Sequence, residues 1–187
     1  MGSRLYVALI HYPVIDKNGQ IIASAVTNLD LHDIARACRT YGVAGYYIVT
    51  PLEDQIRLVK RILDHWTTGA GARYNPKRHQ ALELIRVEAT VEAAAHDIAH
   101  IHGRRPKIVA TTARRHNGGL AHRRLRAMLA EPTPVMLALG TAWGLCDGFM
   151  DAADHILEPL KGAETYNHLS VRSAAAILLD RLLGDRN

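Results

Sequence analysis

Several residue types and patterns that define particular protein classes are scarce in this sequence. Aromatic residues make up 5% of its 187 residues, which gives no sign of the base-stacking surfaces of RRM or OB domains. Its two cysteines, Cys38 and Cys146, are far apart and lie in apolar segments, which favours reduced core thiols over a disulfide or a zinc site. No apolar run approaches the roughly 20 residues that span a bilayer, and no export signal precedes the first strand-like run. We therefore expect a cytoplasmic protein without a membrane partner.

The common glycine motifs of nucleotide-binding proteins are missing as well. No Gly-x-Gly-x-x-Gly follows the first predicted strand, which disfavours the usual dinucleotide-binding site. The glycine-rich stretch 66–76 lacks the Gly-Lys-Ser/Thr ending of a P-loop, and we interpret it as a mobile surface loop. His96 and His100 are one helical turn apart, as in many metal sites, but no third ligand is indicated. We predict no metal site.

The composition fits one folded domain with a basic surface. With 48% hydrophobic and 22% charged residues, the chain resembles ordinary globular proteins, and its length suits a single domain over residues 1–187. The net charge of +5 favours a polyanionic partner, because lysine and arginine release counterions when they neutralise phosphates. Basic residues concentrate at 104–107, 114–116 and 123–126. A nucleic acid is therefore expected to bind through phosphate contacts and a pocket.

Apolar runs and helical periodicities alternate along the chain. The predicted strands cover residues 5–11, 45–51, 84–87 and 107–113, together with the apolar run that begins at 134. The predicted helices cover residues 31–41, capped by Asn28 or Asp30, then 52–65, 77–83, 90–102, capped by Thr90, and 123–129. This alternation predicts an α/β fold: an open, mostly parallel sheet with helices on both faces.

The stretch 134–183 contains three segments that suggest a small-molecule site. The first, 134–145, is a buried strand that breaks into a loop with two glycines. The second, 155–162, is a very short strand and a turn closed by Pro159 and Gly162. Both segments place loops at the ends of buried strands, where ligands bind to parallel sheets.

The third segment, 166–173, leads into an alanine- and leucine-rich helix. Asn167 and Ser170 are candidate N-caps for this helix, which is apolar on all sides and is therefore predicted to be largely buried. In this order, the three segments resemble the knotted C-terminal half of the SPOUT methyltransferases. The resemblance extends over the whole chain, which is similar to a small bacterial branch of RNA methyltransferases related to the tRNA guanine methyltransferases.

The resemblance implies a trefoil knot over about residues 108–183 whose loops hold S-adenosylmethionine. Thr111 and Thr112 end the fourth predicted strand at the carboxyl edge of the sheet, so we expect them to contact this cofactor too. The expected cofactor-binding residues are Thr111, Thr112, Leu139, Gly140, Thr141, Gly144, Ile156, Pro159, Leu160, Asn167, Leu169 and Ser170.

The segment from Thr27 to Gly42 resembles the family's first motif, in which an asparagine precedes an arginine on the first helix. The resemblance implies that Asn28 and Arg36 belong to the catalytic centre. Arg172 is expected to stabilise charge or position a phosphate, and His168 is a candidate base if it is buried beside the acceptor.

The leading hypothesis is an S-adenosylmethionine-dependent RNA methyltransferase that acts on tRNA or rRNA as a homodimer. One alternative is a non-catalytic RNA-binding or regulatory module that keeps the knotted fold, which a turnover assay would distinguish. A second is a general nucleotide-binding α/β enzyme, which competition by adenine dinucleotides would reveal.

Overall fold

A six-stranded parallel sheet forms the centre of the protein. The computed structural model describes residues 4–114, 118–163 and 166–185. The strands are β1 (Leu5–Ile10), β2 (Val14–Ile15), β3 (Ile21–Ile22), β4 (Gly45–Val49), β5 (Ile85–Glu88), β6 (Lys107–Ala110), β7 (Val135–Gly140) and β8 (His155–Ile156). The sheet order is β5-β4-β1-β7-β6-β8 with parallel pairing throughout, and β2 and β3 form a separate antiparallel hairpin.

Helices cover both faces of this sheet, as the alternation of patterns predicts. Those in the described residues are α1 (Asn28–Thr40), α2 (Glu53–Thr67), α3 (Ala70–Tyr74), α4 (Pro76–Leu82), α5 (Val91–His102), α6 (His122–Met128), α7 (Asp147–Ala152) and α8 (Val171–Leu183). Val7 packs in the core shared with α1, α2, α4, α6 and α8, whereas Ala8 faces α5 and α7. Because successive strand residues point to opposite faces, β1 serves both cores. The continuous apolar runs therefore mark strands that are buried on both sides.

The N-cap of the first helix lies before both predicted caps, one residue before Asn28 and three before Asp30. Thr27 is the N-cap of α1, and its hydroxyl accepts a hydrogen bond from the Asp30 amide at 3.2 Å. The predicted caps Asn28 and Asp30 instead lie inside the first turn. Asp30 is buried there, and its carboxylate in the first turn is favourable to the helix dipole. At α5 the predicted cap, Thr90, is confirmed by its hydrogen bond from the Ala93 amide.

The predicted mobile loop at 66–76 is wrong. In the structure α2 continues to Thr67, and α3 follows directly. Gly71 is buried against the Trp66 ring, where an added Cβ would lie 2.7 Å from a ring carbon. The glycines therefore permit close packing here. Helix α7 has no counterpart in the prediction, because its six residues are too few to show a periodicity.

The last helix is less buried than its composition predicts. Ser170 is its N-cap, accepting a hydrogen bond from the Ser173 amide at 3.2 Å, whereas Asn167 donates to the Ala113 carbonyl at 3.1 Å. Four side chains of α8, Ala175, Leu178, Leu179 and Leu182, are buried. Ile177 is 37% exposed. The helix thus covers the sheet with one face and leaves the opposite face open.

Two further findings concern the lengths of the helices and the two cysteines. None of the helices in the described ranges is both long and apolar enough to cross a bilayer. Cys38 and Cys146 are both free and buried, and burial raises the pKa of the Cys38 thiol to about 12. A thiol in this environment behaves as a small apolar side chain.

Candidate functional site

A cavity of about 690 Å³ opens at the carboxyl edge of the parallel sheet. Its walls come from the segments that follow β3, β6, β7 and β8 and from residues of α1, α7 and α8. Open α/β sheets bind ligands in this position, and the volume is that of a typical small-molecule site.

The loop after β7 forms one wall, and its shape depends on two glycines. A Cβ added to Gly140 would lie 2.7 Å from the Leu145 amide nitrogen, so this close approach of the backbone requires glycine. Gly144 has φ of +107°, a conformation that glycine adopts most readily. The hairpin supports the loop from outside, because the Ile15 amide donates to the Gly144 carbonyl and the Trp143 amide donates to the Ile15 carbonyl.

The segment after β8 forms the opposite wall and runs beside the segment after β6. The Leu157 amide donates to the Ala110 carbonyl at 2.8 Å, and the Glu158 amide donates to the Leu120 carbonyl at 2.9 Å. The Glu158 carboxylate in turn accepts from the His122 amide at 3.1 Å and lies 2.8 Å from His122 Nδ1. These hydrogen bonds from His122 lower the pKa of Glu158, and they attach α6 to the cavity wall.

A polar corner of the cavity is formed by Ser24, Asp30 and Thr141. Ser24 Oγ lies 2.5 Å from Thr141 Oγ1 and 3.0 Å from Nδ1 of the fully buried His11. Burial lowers the pKa of His11 to about 4, although the nearby Asp30 carboxylate opposes this shift. His11 is therefore neutral at pH 7, and the corner contains one carboxylate and two hydroxyl oxygens.

Arg172 links this corner to the start of α8. Its guanidinium lies 3.9 Å from Asp30 Oδ1 and 3.6 Å from Asp33 Oδ2. The Arg172 side chain is 31% exposed, and that of Asp30 is 13% exposed. The arginine thus supports the wall of the cavity through Asp30.

Most residues predicted to bind the cofactor come together around this cavity. The lining includes Thr111, Thr112, Leu139, Gly140, Thr141, Gly144, Ile156, Leu160, Asn167, Leu169 and Ser170. Pro159 is not among the described lining residues, although its neighbours are.

The four predicted catalytic residues are more scattered. His168 lines the cavity but is exposed, so it lacks the burial that the proposed base requires. Asn28, Arg36 and Arg172 lie outside the described lining. Arg36 is exposed on α1, one turn after His32, whose pKa is lowered by burial and by the nearby Arg78.

Ser24 and Asp30 of the polar corner were not revealed by the sequence, whereas its third member, Thr141, was predicted. Ser24, Asp30 and Glu158 were not predicted as site residues, although all three line the cavity. His11 and Ser24 are more than a hundred residues from Thr141 in sequence, and only pairing of β1 with β7 brings them together. The one sequence feature that pointed to this corner is His11, which directly follows the buried strand β1.

The basic clusters of the sequence separate in space. Arg114 lines the cavity and lies 4.0 Å from Asp147, which also lines it. At the opposite end of β6, Lys107 pairs with Asp154 at 2.8 Å. The predicted cluster at 114–116 extends into 115–117, outside the described residues. No group of three or more histidine, cysteine or acidic residues within the described ranges is arranged to hold a metal ion.

The fold and this cavity define an α/β protein with a ligand site built by the loops at the carboxyl edge of its sheet. Family comparison makes the assignment specific: the chain belongs to the family described as SAM-dependent RNA methyltransferase, which matches residues 4–184. The predicted membership is therefore confirmed, and the six-stranded parallel sheet with helices on both faces confirms the predicted fold class.

Two relatives show how this chain compares with longer and similar-sized proteins. It is 50% identical over 184 residues to a tRNA (guanine-N(1)-)-methyltransferase of Oleidesulfovibrio alaskensis, covering 98% of this chain and 43% of the relative. The chain thus spans less than half the length of that relative. It is 39% identical over 183 residues to a protein of Aquifex aeolicus, covering 97% of this chain and 89% of the relative.

Solved structures share the fold at low sequence identity. The TrmH/SpoU tRNA modifying enzyme of A. aeolicus has a TM-score of 0.55 and 16% identity, over 97% of this chain and 74% of that chain. TrmJ of Z. mobilis has a TM-score of 0.58 and 17% identity, over 100% of this chain and 70% of that chain. These similarities support the fold.

Proposed function

We propose that this protein methylates an RNA by using S-adenosylmethionine bound in the cavity at the carboxyl edge of its sheet. The observation that carries this proposal is the convergence of three loops, 139–145, 156–160 and 167–171, on one cavity in a chain of this family. When bound, S-adenosylmethionine supplies an activated methyl group on a positively charged sulfur.

The residues of the cavity fit such a cofactor. Leu139, Leu160 and Leu169 offer apolar contacts for a planar base, and the close backbone approach at Gly140 keeps the loop compact. The polar corner can accept hydrogen bonds from amino and hydroxyl groups. The protein's own contribution is to orient the ligand and to exclude water from it.

The trefoil knot over about residues 108–183 is part of this proposal. Hydrogen bonds from Leu157 to Ala110, from Glu158 to Leu120 and from Asn167 to Ala113 support it, because they hold the segment before α8 against the segment after β6. An experimental chain trace through these segments would test the knot directly.

The proposed methyl acceptor is an RNA, either tRNA or rRNA. Arg114 and His168 at the cavity are suited to contact phosphates. Asn28, Arg36 and Arg172 stay predictions of catalytic residues. The guanine-N1 activity named for the O. alaskensis relative belongs to a longer protein, of which this chain covers 43%.

We also propose a homodimer in the cytoplasm. Leu29, Trp143 and Leu169 are 60%, 63% and 47% exposed; the last two line the cavity, and exposed apolar groups near a site often mark an interface. Sedimentation of the wild type and of Leu29→Glu tests the dimer, with Leu58→Glu on α2 as the control. The buried free thiols support a reducing compartment.

Calorimetric titration with S-adenosylmethionine and S-adenosylhomocysteine tests the proposed cofactor site. Gly140→Val should abolish binding, because its side chain would collide with the Leu145 backbone. Gly148→Ala is the matched control, since an added Cβ there meets nothing within 4 Å. No binding by the wild type would refute the proposal.

Methyl transfer is then measured with labelled S-adenosylmethionine on separate tRNA and rRNA fractions that lack their natural modifications. Incorporation into one fraction supports the enzyme. Cofactor and RNA binding without incorporation into either would instead favour a non-catalytic RNA-binding module.

A further inference from the structure

His11 is a fully buried histidine that is not among the described residues lining the cavity, but hydrogen bonds connect it to two residues that are. It follows β1, and its Nδ1 lies 3.0 Å from Ser24 Oγ. Ser24 Oγ lies 2.5 Å from Thr141 Oγ1, and the Thr141 hydroxyl donates to the Ile10 carbonyl at 3.0 Å. A chain of hydrogen bonds thus runs from the histidine through two lining residues and back to the end of β1.

The last bond of this chain, from the Thr141 hydroxyl to the Ile10 carbonyl, gives one consistent direction for the other hydrogens. The Ile10 carbonyl can only accept, so the single hydroxyl hydrogen of Thr141 points to it. Ser24 must then donate to Thr141, which leaves the Ser24 oxygen to accept from His11 Nδ1. His11 therefore carries its hydrogen on Nδ1, and its buried Nε2 has no hydrogen-bond partner.

This arrangement determines what the polar corner can offer to a ligand. The hydrogens of Ser24 and Thr141 are already used within the chain, so each oxygen has only acceptor capacity left. Asp30, the third member of the corner, is a carboxylate and also accepts only. The corner therefore favours a ligand group that donates hydrogen bonds or carries positive charge.

A role in packing alone does not account for this histidine. Burying an imidazole with one unpartnered nitrogen is unfavourable, and an apolar side chain would fill the same space without that cost. The hydrogen bond between Nδ1 and the Ser24 hydroxyl is a directed contact from the imidazole to a side chain of the cavity wall.

We propose that His11 is a positioning residue that orients the Ser24 and Thr141 hydroxyls so that the polar corner accepts hydrogen bonds from a donor group of the bound cofactor. This inference rests on the proposed function, because it takes S-adenosylmethionine as the ligand. The cofactor offers two kinds of donor, the ammonium of its amino-acid part and the amino and hydroxyl groups of its adenosine part.

The test compares affinities for S-adenosylhomocysteine by calorimetry in a double-mutant cycle of His11→Leu and Ser24→Ala. Each single variant should bind about five- to tenfold more weakly, the value of one lost hydrogen bond. In the Ser24→Ala background, His11→Leu should have no further effect, because the proposed route through the Ser24 hydroxyl is already gone. Independent, multiplying losses would overturn the proposal.

A conservative variant separates positioning from folding. His11→Asn keeps an N–H donor near the Nδ1 position and should restore most of the affinity, whereas His11→Gln places its donor further out and should not. If the variants at the buried position 11 fail to fold, Thr141→Val on the cavity wall removes a hydroxyl of the same hydrogen-bond chain, and its affinity is compared with that of the wild type. Equal affinities for the wild type and Thr141→Val would contradict the proposal.

Two further measurements complete the test. Nitrogen-15 NMR of the imidazole should show the hydrogen on Nδ1 in the wild type, and the opposite tautomer would refute the relay whether or not the cofactor binds. Binding of 5′-methylthioadenosine, which lacks the ammonium, distinguishes the donors: a His11→Leu loss seen only with S-adenosylhomocysteine assigns the corner to the ammonium. Failure of the wild type to bind either ligand would overturn the proposed function, whereas normal binding by His11→Leu would overturn this inference alone.

Discussion

Arg172 at the start of α8 lies between two carboxylates of α1, with its guanidinium 3.9 Å from Asp30 and 3.6 Å from Asp33. Asp30 is the more buried of the two, with a side chain 13% exposed, and it lines the cavity. The arginine therefore joins two helices and also offsets a negative charge in the cavity wall. Its position indicates that it holds the Asp30 carboxylate in place at the cavity wall.

Neutralising Arg172 tests this link. We expect Arg172→Gln to lower the free energy of unfolding by about 1 kcal/mol, because both ion pairs are long and partly exposed. In the double variant with Asp30→Asn the part of this loss that comes from the Asp30 pair should disappear, whereas the part from the Asp33 pair should remain. Urea denaturation measures all three variants. Arg57→Gln, in an exposed pair with Glu53 on α2, is the control and should cost less; additive effects of Arg172→Gln and Asp30→Asn would contradict the link.

A second prediction concerns the hydrogen bonds that attach α5 to the sheet. The Tyr47 hydroxyl donates to Asp97 at 2.6 Å and accepts from Arg86 at 3.0 Å. Tyr47→Phe removes both contacts and should destabilise the protein by about 1 to 3 kcal/mol, because the lost partners are charged. Tyr41→Phe, whose hydroxyl contacts Asp180 at an exposed position, should change stability much less. Chemical denaturation compares the two, and equal losses would show that the hydrogen bonds of Tyr47 to Asp97 and Arg86 contribute no more than an exposed one.

The packing of Gly71 on Trp66 gives a third prediction. Gly71→Ala brings its Cβ within 2.9 Å of the His65 carbonyl as well as against the Trp66 ring, so α3 must shift. We expect a loss of about 1 to 3 kcal/mol and a change in tryptophan fluorescence. Gly148→Ala, with open space around its Cβ, should be neutral or slightly stabilising because alanine favours helix. If Gly71→Ala were as harmless as Gly148→Ala, the close contact with Trp66 would be wrong.

Local signals predicted most of the elements and the loops of the cavity. β1 and β7 are continuous apolar runs because both of their faces are buried, and Thr90 marked a helix start by its side chain. The Gly140 loop was recognisable because a backbone that approaches another so closely requires glycine. These features depend on a few neighbouring residues, which the sequence displays directly.

Features that depend on distant contacts could not be predicted in the same way. Gly69 and Gly71 suggest a loop until the His65 backbone is known to lie against Gly69 and the Trp66 ring against Gly71. The polar corner joins Ser24 and Asp30 to Thr141 through strand pairing, and no local pattern marks those two as site residues. Arg36 matched a motif by sequence, whereas the structure shows it on a part of α1 that does not line the cavity.

The buried His11 should make stability depend on pH in a defined window. Burial lowers its pKa from 6.5 to about 4 in the folded protein, against a smaller opposing effect of Asp30. Above about pH 7.5 the imidazole is almost entirely neutral in both states and has almost no effect. Between pH 6.5 and 4 the unfolded chain binds a proton that the folded protein does not, so the free energy of unfolding falls as the pH is lowered.

Over this window the loss attributable to His11 should reach about 3 kcal/mol, at about 1.4 kcal/mol per pH unit. Urea denaturation at pH 7.5 and 4.5 should therefore show a smaller decrease for His11→Asn, by about 2 to 3 kcal/mol, than for the wild type. The exposed His96 provides the control, since His96→Asn should keep the wild-type dependence. If His11→Asn also kept it, folding would not lower the pKa of His11, and the burial of an uncharged imidazole at this position would be contradicted.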